Sequence, residues 1–340
     1  MELTKRITSF IAATRYDNLP NSVLQHAKSA LLDHVGVTLA GSREHASTIV
    51  ADLAREDSCR AQAMLFGHRF RSSVMQAAFV NGVSGHALDF DASFTFMGQP
   101  TSGLPATVFS LAEAQQLSGK RLLESYVVGY ELIAKIAWSM PNHAEDGGWH
   151  AVGTLGTLGC AAAACRLLGL DNEKTSMGLG IAGSLACRVV RNYGTMGKPL
   201  HAGLAARNGV QAALLASKGF TASQSMLDAP HGFFESFARE ISVDSQPLER
   251  LGHPFELEAR GVSIKPYPCG GLAHPAIDAI LTLRNEHSLT AQDIDRIDVG
   301  VAPFVARRIV YRIPQTELQA KFSMAYVLAL TGCGLSHPIG

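Results

Sequence analysis

The chain has 340 residues, 47% of them apolar and 17% charged, with a formal net charge of 0 at pH 7. That length suffices for two domains with a large core, and the lack of a Lys- or Arg-rich run argues against nucleic acid as a partner. The six cysteines are scattered without a Cys-x-x-Cys pair, which argues against a zinc site and favours a reducing, cytoplasmic setting.

Residues 1–255 are predicted to form one helix after another. Apolar residues recur at helical spacing, and Gly, Asn, Asp or Ser separate the runs. The predicted helices are 22–40, 73–88, 107–116, 121–140, 154–168, 173–189 and 200–218. Several are apolar nearly all round, which is typical of helices at the centre of a domain or at a subunit contact.

Two features argue against a membrane protein or a secreted one. The first residues lack the long apolar core of a signal peptide. The most apolar stretch, residues 151–170, contains several glycines and Arg166. We therefore expect a buried helix there rather than a membrane span.

The pattern changes after residue 255. Two segments are predicted as extended chain or strands, because apolar residues alternate there, and two others as helices. The extended segments are 260–267 and 295–305, and the helices are 275–286 and 321–330. The sequence predicts a mainly α protein, with a large all-helical domain over 1–255 and a smaller α+β lid domain over 256–340. With so few strands the lid has unpaired edges, so we expect it to be incomplete and the chain to be C-terminally truncated.

The segment 192–203 is the most informative for chemistry. Glycines punctuate a loop, and Pro199 suits the first turn of the helix that follows. Lys198 and His201 therefore lie near a helix N-terminus, where backbone donors and positive potential favour an anion such as a carboxylate. The alternative is a solvated lysine and a core histidine, and this segment alone does not separate the two.

Three other segments carry charged or polar groups suited to binding a carboxylate or to acid–base chemistry beside it. A helix ends at Asp89 and Asp91, whose charges oppose the helix dipole, and that cost favours a functional role over a solvated turn. His150 precedes a helix, which lowers its pKa and favours a neutral base; the alternative is a core histidine bonded to a carbonyl. Lys265 stands before a Gly-Gly loop and His274, which suits pairing with a carboxylate.

Residues 178–183 match the dinucleotide fingerprint Gly-x-Gly-x-x-Gly. That fingerprint has meaning only after a strand, whereas here a helix N-cap pattern precedes it. Close helix packing is therefore the expected role of these glycines. A Rossmann-type oxidoreductase is the weaker alternative.

Taken together, these segments resemble the MmgE/PrpD family of 2-methylcitrate dehydratases, which includes cis-aconitate decarboxylase and iminodisuccinate epimerase. The resemblance runs from residues 31–37 to residues 321–326, with the motif blocks in the family's order. It implies a cleft between a helical domain and a lid, a homodimer, no metal or organic cofactor, and a di- or tricarboxylate substrate. The implied chemistry is removal of a proton next to a carboxylate, with lysines and histidines stabilising the charge.

The resemblance also implies roles for single residues. The first aspartate of the family's Asp-Phe-Asp block falls on Asp89, and its loop histidine before a helix falls on His150. The lysines of its Lys-Pro-Leu-His and Ile-Lys-x-x-Pro blocks fall on Lys198 and Lys265. We therefore expect catalysis from His150, Lys198 and Asp89. The expected substrate-binding residues are Lys265, His201, Gln99, Arg191, Ser93 and His274.

Two departures from the family pattern suggest a second hypothesis. Ala92 and Ser93 follow Asp91 where the family continues with Asp-Thr, and Gln99 stands where members commonly carry the histidine of Gly-His-Pro. Glutamine cannot exchange a proton at neutral pH. The chain could therefore be a catalytically impaired member that keeps only the helical dimerisation core.

Overall fold

The structure is a computed structural model. It describes residues 2–57, 59–94, 98–99, 101–141, 143, 147–238 and 243–334. Met97 and Pro100, which flank the departure at Gln99, lie outside the described residues, as do residues 335–340 of the expected lid.

The first part of the chain is helical, as predicted, with one short hairpin. Its longer helices are α1 (Glu2–Ala13), α2 (Asn21–Gly41), α3 (His45–Glu56), α4 (Val74–Ala87), α5 (Leu104–Ala114), α6 (Gly119–Ser139), α7 (Leu155–Leu168), α8 (Asn172–Leu185) and α9 (Gly197–Ser217). Shorter ones are α10 (Phe233–Ala238), α11 (Gln246–Glu249) and α12 (Glu256–Ala259). The hairpin pairs β1 (Ala63–Met64) with β2 (Arg71–Ser72) in antiparallel register.

Local side-chain chemistry sets several helix starts. Ser73, Ser118 and Asp171 precede α4, α6 and α8, and each side chain accepts a hydrogen bond from a backbone N–H in the first turn. These caps satisfy donors that have no partner inside the helix. Because Asp171 caps a helix that contains residues 178–183, the Gly-x-Gly-x-x-Gly segment lies inside α8 rather than after a strand. The expectation of helix packing is confirmed.

Helices α4, α7 and α9 lie at the centre of this part. Helix α4 packs along α9, and α7 lies against both α6 and α9. Almost every residue of α7 is buried, which agrees with its apolar sequence on all sides. Glycines allow the closest approach: a Cβ on Gly82 of α4 would lie 2.8 Å from the Cα of Gly203 on α9. This contact brings the C-terminal end of α4 close to the N-terminal end of α9.

The smaller part follows and is also helical where it is regular. Its helices are α13 (His274–His287), α14 (Pro303–Arg308), α15 (Glu317–Ala320) and α16 (Met324–Gly332). Helices α13 and α16 pack together over a second core that includes Ile277, Ile280 and Val327. The mainly α class, with a large helical domain followed by a smaller one, is confirmed.

The predicted strand over 295–305 is wrong. Residues 294–302 have no regular secondary structure, and the rest of the segment begins α14. Ile297, Val299 and Val301, which were expected on one face of a strand, are 38%, 42% and 41% exposed. A strand is stable only when neighbouring strands satisfy its backbone groups, and none lies beside this segment in the described part of the chain.

Contacts between the two parts fix where they meet. Ser93 and Ser263 form an isolated antiparallel bridge, which is the form taken by the extended chain predicted over 260–267. The Tyr311 hydroxyl donates to the Tyr193 carbonyl oxygen at 2.8 Å. Lys321 Nζ donates to the Ala87 carbonyl oxygen at the end of α4, at 3.3 Å. The meeting line therefore runs past the end of α4 and the start of α9. Within the described ranges, we find no helix with the length and apolar character that a membrane crossing requires.

Candidate active site

A cavity of about 250 Å³ lies where the two parts meet. Seven of the residues expected from the sequence line it: Asp89, Ser93, Gln99, His150, Lys198, Lys265 and His274. They come from the end of α4, the loops before α5 and α7, the first turn of α9 and the segment that leads into α13. Segments distant in sequence therefore supply one site.

Asp89 is the centre of charge in this cavity. Lys198 Nζ donates to Asp89 Oδ1 at 2.6 Å, and Lys265 Nζ donates to Oδ2 at 3.1 Å. All three side chains are buried. Burial by itself raises the pKa of Asp89, but the two ammonium groups outweigh it and hold the pKa well below its usual range. Asp89 is therefore a firmly ionised counter-ion for two lysines.

The backbone conformation of Asp89 places both its carbonyl group and its carboxylate next to Lys265. Its φ of 53° is in the left-handed region, which Asp tolerates better than most residues. Lys265 Nζ donates to the Asp89 carbonyl oxygen as well as to its carboxylate, and also to the Cys269 carbonyl oxygen at 2.6 Å. Three acceptors thus fix one lysine from the smaller part onto the end of α4.

His86 on α4 is a site residue that the sequence analysis did not select. Its Nε2 lies 2.6 Å from Lys198 Nζ, and its Nδ1 lies 2.9 Å from Asp91 Oδ1. An ammonium only donates, so Nε2 accepts and Nδ1 carries the proton that it donates to Asp91. His86 therefore links Asp91 to Lys198. Its position three residues before Asp89 at the end of an apolar helix was the available signal.

His150 and His201 form a buried pair. Their Nδ1 atoms are 2.8 Å apart, so one ring donates and the other accepts, and the two rings have opposite tautomers. Burial, with nearby Lys198, lowers the pKa of His150 well below its usual range. Burial, with nearby Arg188, lowers the pKa of His201 to about 3. Both rings are therefore neutral near pH 7. Of the two, His150 lines the cavity.

The remaining expected residues have different positions. Gln99 Nε2 donates to Asp91 Oδ1 at 3.0 Å, so its amide is held by the same carboxylate as His86. His274 begins α13, and its Nε2 lies 3.3 Å from the Cys269 carbonyl oxygen. Arg191 is exposed in the short 3₁₀ turn Val190–Asn192 and is not among the residues that line the cavity. The structure thus separates Arg191 from the other expected residues.

Three further residues at or near the cavity were not selected from the sequence. Tyr193 and Arg308 line it, and the Tyr193 ring lies 5.5 Å from Lys198 Nζ. Burial raises the pKa of Tyr193 to about 12, although Arg308 opposes that shift. Asp33 of α2 lies behind the cavity, where its Oδ2 accepts a hydrogen bond from the Ala92 N–H at 3.1 Å. Burial raises the pKa of Asp33 to about 6.

The chemistry available here follows from these protonation states. A neutral histidine can accept a proton, and two buried ammonium groups can stabilise a negative charge that develops beside it. Among the described residues, no group of three or more His, Cys, Asp or Glu side chains is arranged to hold a metal ion.

The fold and this site agree with one protein family. The model of the MmgE/PrpD N-terminal domain matches residues 5–246, and that of the MmgE/PrpD C-terminal domain matches residues 267–332. The chain belongs to the MmgE/PrpD family.

Several characterised members are similar to it over nearly its whole length. The cis-aconitate decarboxylases of Mus musculus and Homo sapiens are each 29% identical to this chain, over 96% of it and over 68% and 69% of their own lengths. The cis-aconitate decarboxylase of Aspergillus terreus is 27% identical, over 96% of this chain and 71% of its own length.

Proposed function

We propose that this protein is a lyase or isomerase that acts on a di- or tricarboxylate by removing a proton next to a carboxylate. The observation that carries the proposal is the juxtaposition of neutral His150 with Lys198 and Lys265, both buried against Asp89 in one cavity. This is the combination that proton removal requires: a base, and fixed positive charge where negative charge develops.

The protonation states suggest the role of each group. His150 takes the proton, because its lowered pKa leaves a free ring nitrogen at neutral pH. Lys198 and Lys265 bind the substrate carboxylate and stabilise the enediolate-like charge. Lys198 has one N–H left beside Asp89 and His86, whereas Lys265 exchanges one of its three protein acceptors for the carboxylate. Both oxygens of Asp89 accept hydrogen bonds from the lysines, so this carboxylate holds the two cations in place rather than taking the proton. After proton removal, water leaves or a proton returns on the other face. In a decarboxylation, carbon dioxide leaves instead, the electron pair of the broken bond becomes the enediolate-like charge, and a protonated group of the site then supplies a proton to carbon.

The family favours two forms of this reaction. Relatives called cis-aconitate decarboxylase support decarboxylation of a tricarboxylate. A 2-methylcitrate dehydratase-like loss of water begins with proton removal instead and passes through a similar enediolate-like charge. A single methyl or hydroxyl group on the substrate separates these reactions, and the shape of the pocket discriminates such groups.

Nuclear magnetic resonance in deuterated buffer tests the proposal. The purified protein is incubated with cis-aconitate, 2-methylcitrate and citrate, and the spectra are followed for decarboxylation, alkene formation or deuterium exchange next to a carboxylate. We expect at least one of these changes, and we expect Lys198→Met and Lys265→Met to abolish it. Lys120→Met is the matched control, because that lysine is exposed and far from the cavity. A folded wild type that changes none of the three substrates contradicts the proposal.

One observation favours the second candidate, a catalytically impaired family member. The amide of Gln99 lines the cavity and is held by Asp91, in the place where the resemblance implies a histidine. An amide neither donates nor accepts a proton in the reaction. In that case the protein binds carboxylates but turns them over slowly, and replacing Gln99 by histidine tests the idea directly.

A further inference from the structure

Among the residues that the structure describes, Arg308 is the cation at this cavity that has no protein carboxylate of its own. It is the last residue of α14, it is half-buried, and it lines the cavity opposite the helical part. Within the described part of the chain no Asp or Glu forms an ion pair with it. Arg121 and Arg166 of the helical part, by contrast, both pair with Glu124.

The charge balance of the cavity points the same way. Its charged lining groups are three cations, Lys198, Lys265 and Arg308, and one anion, Asp89. Burial lowers the pKa of both His150 and His274, which adds no further positive charge near neutral pH. The lining thus carries an excess of two positive charges, three minus one. Asp89 balances one of the two lysine charges, which leaves one for a first carboxylate, and the charge of Arg308 is left for a second.

Tyr193 relates Arg308 to the reacting groups. Both residues line the cavity, and Arg308 is near enough to the Tyr193 hydroxyl to lower its pKa, against the larger effect of burial. The Tyr193 ring packs edge-on against His150, with 5.0 Å between ring centroids, and lies 5.5 Å from Lys198 Nζ. Tyr193 is therefore the neighbour that Arg308 shares with the proposed base and with one carboxylate-binding lysine.

We infer that Arg308 is a substrate-positioning residue that binds a second carboxylate of the substrate, distinct from the one that Lys198 and Lys265 bind. This inference rests on the proposed function, and it assigns a residue of this chain to the second carboxylate of the di- or tricarboxylate. A guanidinium suits this task because its planar donors match a carboxylate in a two-point hydrogen bond. Since α14 belongs to the smaller part, binding of the second carboxylate also joins the two parts across the cavity.

Ligand affinity tests the inference without requiring turnover. Binding of tricarballylate, an unreactive tricarboxylate, is measured by calorimetry for wild type, Arg308→Gln and Arg308→Lys. Arg307→Gln is the matched control, because Arg307 is the preceding arginine of the same helix but is exposed and does not line the cavity. We expect Arg308→Gln to weaken binding about 10- to 100-fold, the range for a charged hydrogen bond. Arg308→Lys should recover part of the loss, and Arg307→Gln should bind as wild type does.

A comparison of ligands separates a specific role from general damage. For butyrate, which has one carboxylate, Arg308→Gln should bind as well as wild type; an equal loss for both ligands overturns the inference. With any reactive substrate, KM should rise more than kcat falls in Arg308→Gln. Tricarballylate binding that is absent in wild type, or unchanged in Arg308→Gln, also overturns it.

Different results would contradict the proposed function and the inference about Arg308. If wild type turns over a polycarboxylate while Arg308→Gln and Arg307→Gln behave alike, the inference about Arg308 is wrong and the proposed function stands. Wild type could instead turn over none of the substrates and still bind tricarballylate in a way that depends on Arg308. In that case the binding role stands and the proposed function is wrong.

Discussion

Asp89 holds the candidate site together by charge. Removing an ion from water costs several kcal/mol even after the protein relaxes. Lys198, Lys265 and Asp89 are all buried, so each needs an oppositely charged neighbour. One carboxylate serves both lysines, and each takes a separate oxygen. Loss of that single carboxylate therefore leaves two buried cations without a counter-ion.

Replacing Asp89 by asparagine should destabilise the fold by about 3–5 kcal/mol, the usual cost of breaking a buried ion pair. Activity should disappear with it, because the lysines lose the group that positions them. Urea denaturation measures the change in the free energy of unfolding. The control is Asp295→Asn at an exposed position, where we expect a change within about 0.5 kcal/mol. Equal stability of the two variants would show that Asp89 is not the essential counter-ion.

Asp33 should make stability depend on pH. Burial raises its pKa in the folded protein from 3.8 to about 6, so the folded state favours the protonated carboxyl. The resulting contribution of Asp33 to the free energy of unfolding is fully present below pH 3.8 and is lost as the pH rises through about 6. Asparagine keeps an acceptor for the Ala92 N–H but does not titrate.

Urea midpoints of wild type and Asp33→Asn at about pH 4 and about pH 8 measure this effect. We expect the stability of wild type relative to the variant to fall between the two pH values. A constant difference would show that Asp33 titrates as an ordinary aspartate does.

Replacing Gln99 by histidine should raise turnover by up to about 10²-fold, because general acid–base catalysis typically contributes about 10²–10⁴-fold. The effect should be on kcat more than on KM, since glutamine can hold a ligand by hydrogen bonds but cannot exchange a proton. Steady-state kinetics on whichever polycarboxylate reacts measures both. If wild type is already fast and the variant is slower, Gln99 is a specificity residue and the hypothesis of an impaired site is wrong.

At the scale of elements, the packing of α4 on α9 decides the geometry of the site. Helix α4 carries His86 near its C-terminal end, and α9 carries Lys198 in its first turn. The two helices approach closely through Gly82 and Gly203. A Cβ on Gly203 would lie 2.5 Å from the Phe79 carbonyl oxygen, which is backbone and cannot move aside cheaply.

Gly203→Ala should therefore push α9 away from α4 and destabilise the fold by about 1–3 kcal/mol, as overpacking usually does. The carboxylate-binding affinity should fall as well, because Lys198 moves with α9. Gly36→Ala in α2 is the control: that glycine is exposed, and a Cβ there meets nothing within 4 Å. It should gain about 0.5–1 kcal/mol from helix propensity. Denaturation curves that rank the two variants the other way would contradict this account.

The sequence predicted helices better than strands for a physical reason. The apolar spacing within 154–168 or 200–218 is a local property, and the helices α7 and α9 that it predicts satisfy their own backbone groups. The strand over 295–305 depended on a neighbour that local pattern cannot supply, and that segment is exposed and irregular. The β1–β2 hairpin was missed because two residues per strand are too few to show alternation. The domain boundary at residue 255 stays a prediction.

At the scale of the whole molecule, the site exists only where the two parts meet. The helical part supplies Asp89, His150 and Lys198, whereas the smaller part supplies Lys265 and Arg308. Contacts such as Tyr311 to Tyr193 and Ser263 to Ser93 hold them together. Anything that separates the parts should therefore weaken carboxylate binding before it unfolds the helices.

We also predict a homodimer formed by the helical domain. The chain has few charged residues, and α2 and α3 expose large apolar side chains, among them Leu32 at 74% and Leu53 at 54%. Exposed apolar surface of this kind favours a protein contact. Light scattering coupled to size-exclusion chromatography should give twice the mass of the 36.2 kDa chain. A stable monomer at micromolar concentration would be the contrary result.

The sequence by itself determined the mainly α class, the family resemblance and seven residues that line the cavity, among them Asp89, His150, Lys198 and Lys265. These follow from helical periodicity and from motif blocks, both of which are local in the chain. Only the tertiary structure decided which charges meet: that one carboxylate is shared by two lysines, that His86 links Asp91 to Lys198, and that Arg308 rather than Arg191 lines the cavity. Burial and pairing depend on groups that are distant in sequence, and they determine the pKa of each side chain and therefore its chemistry.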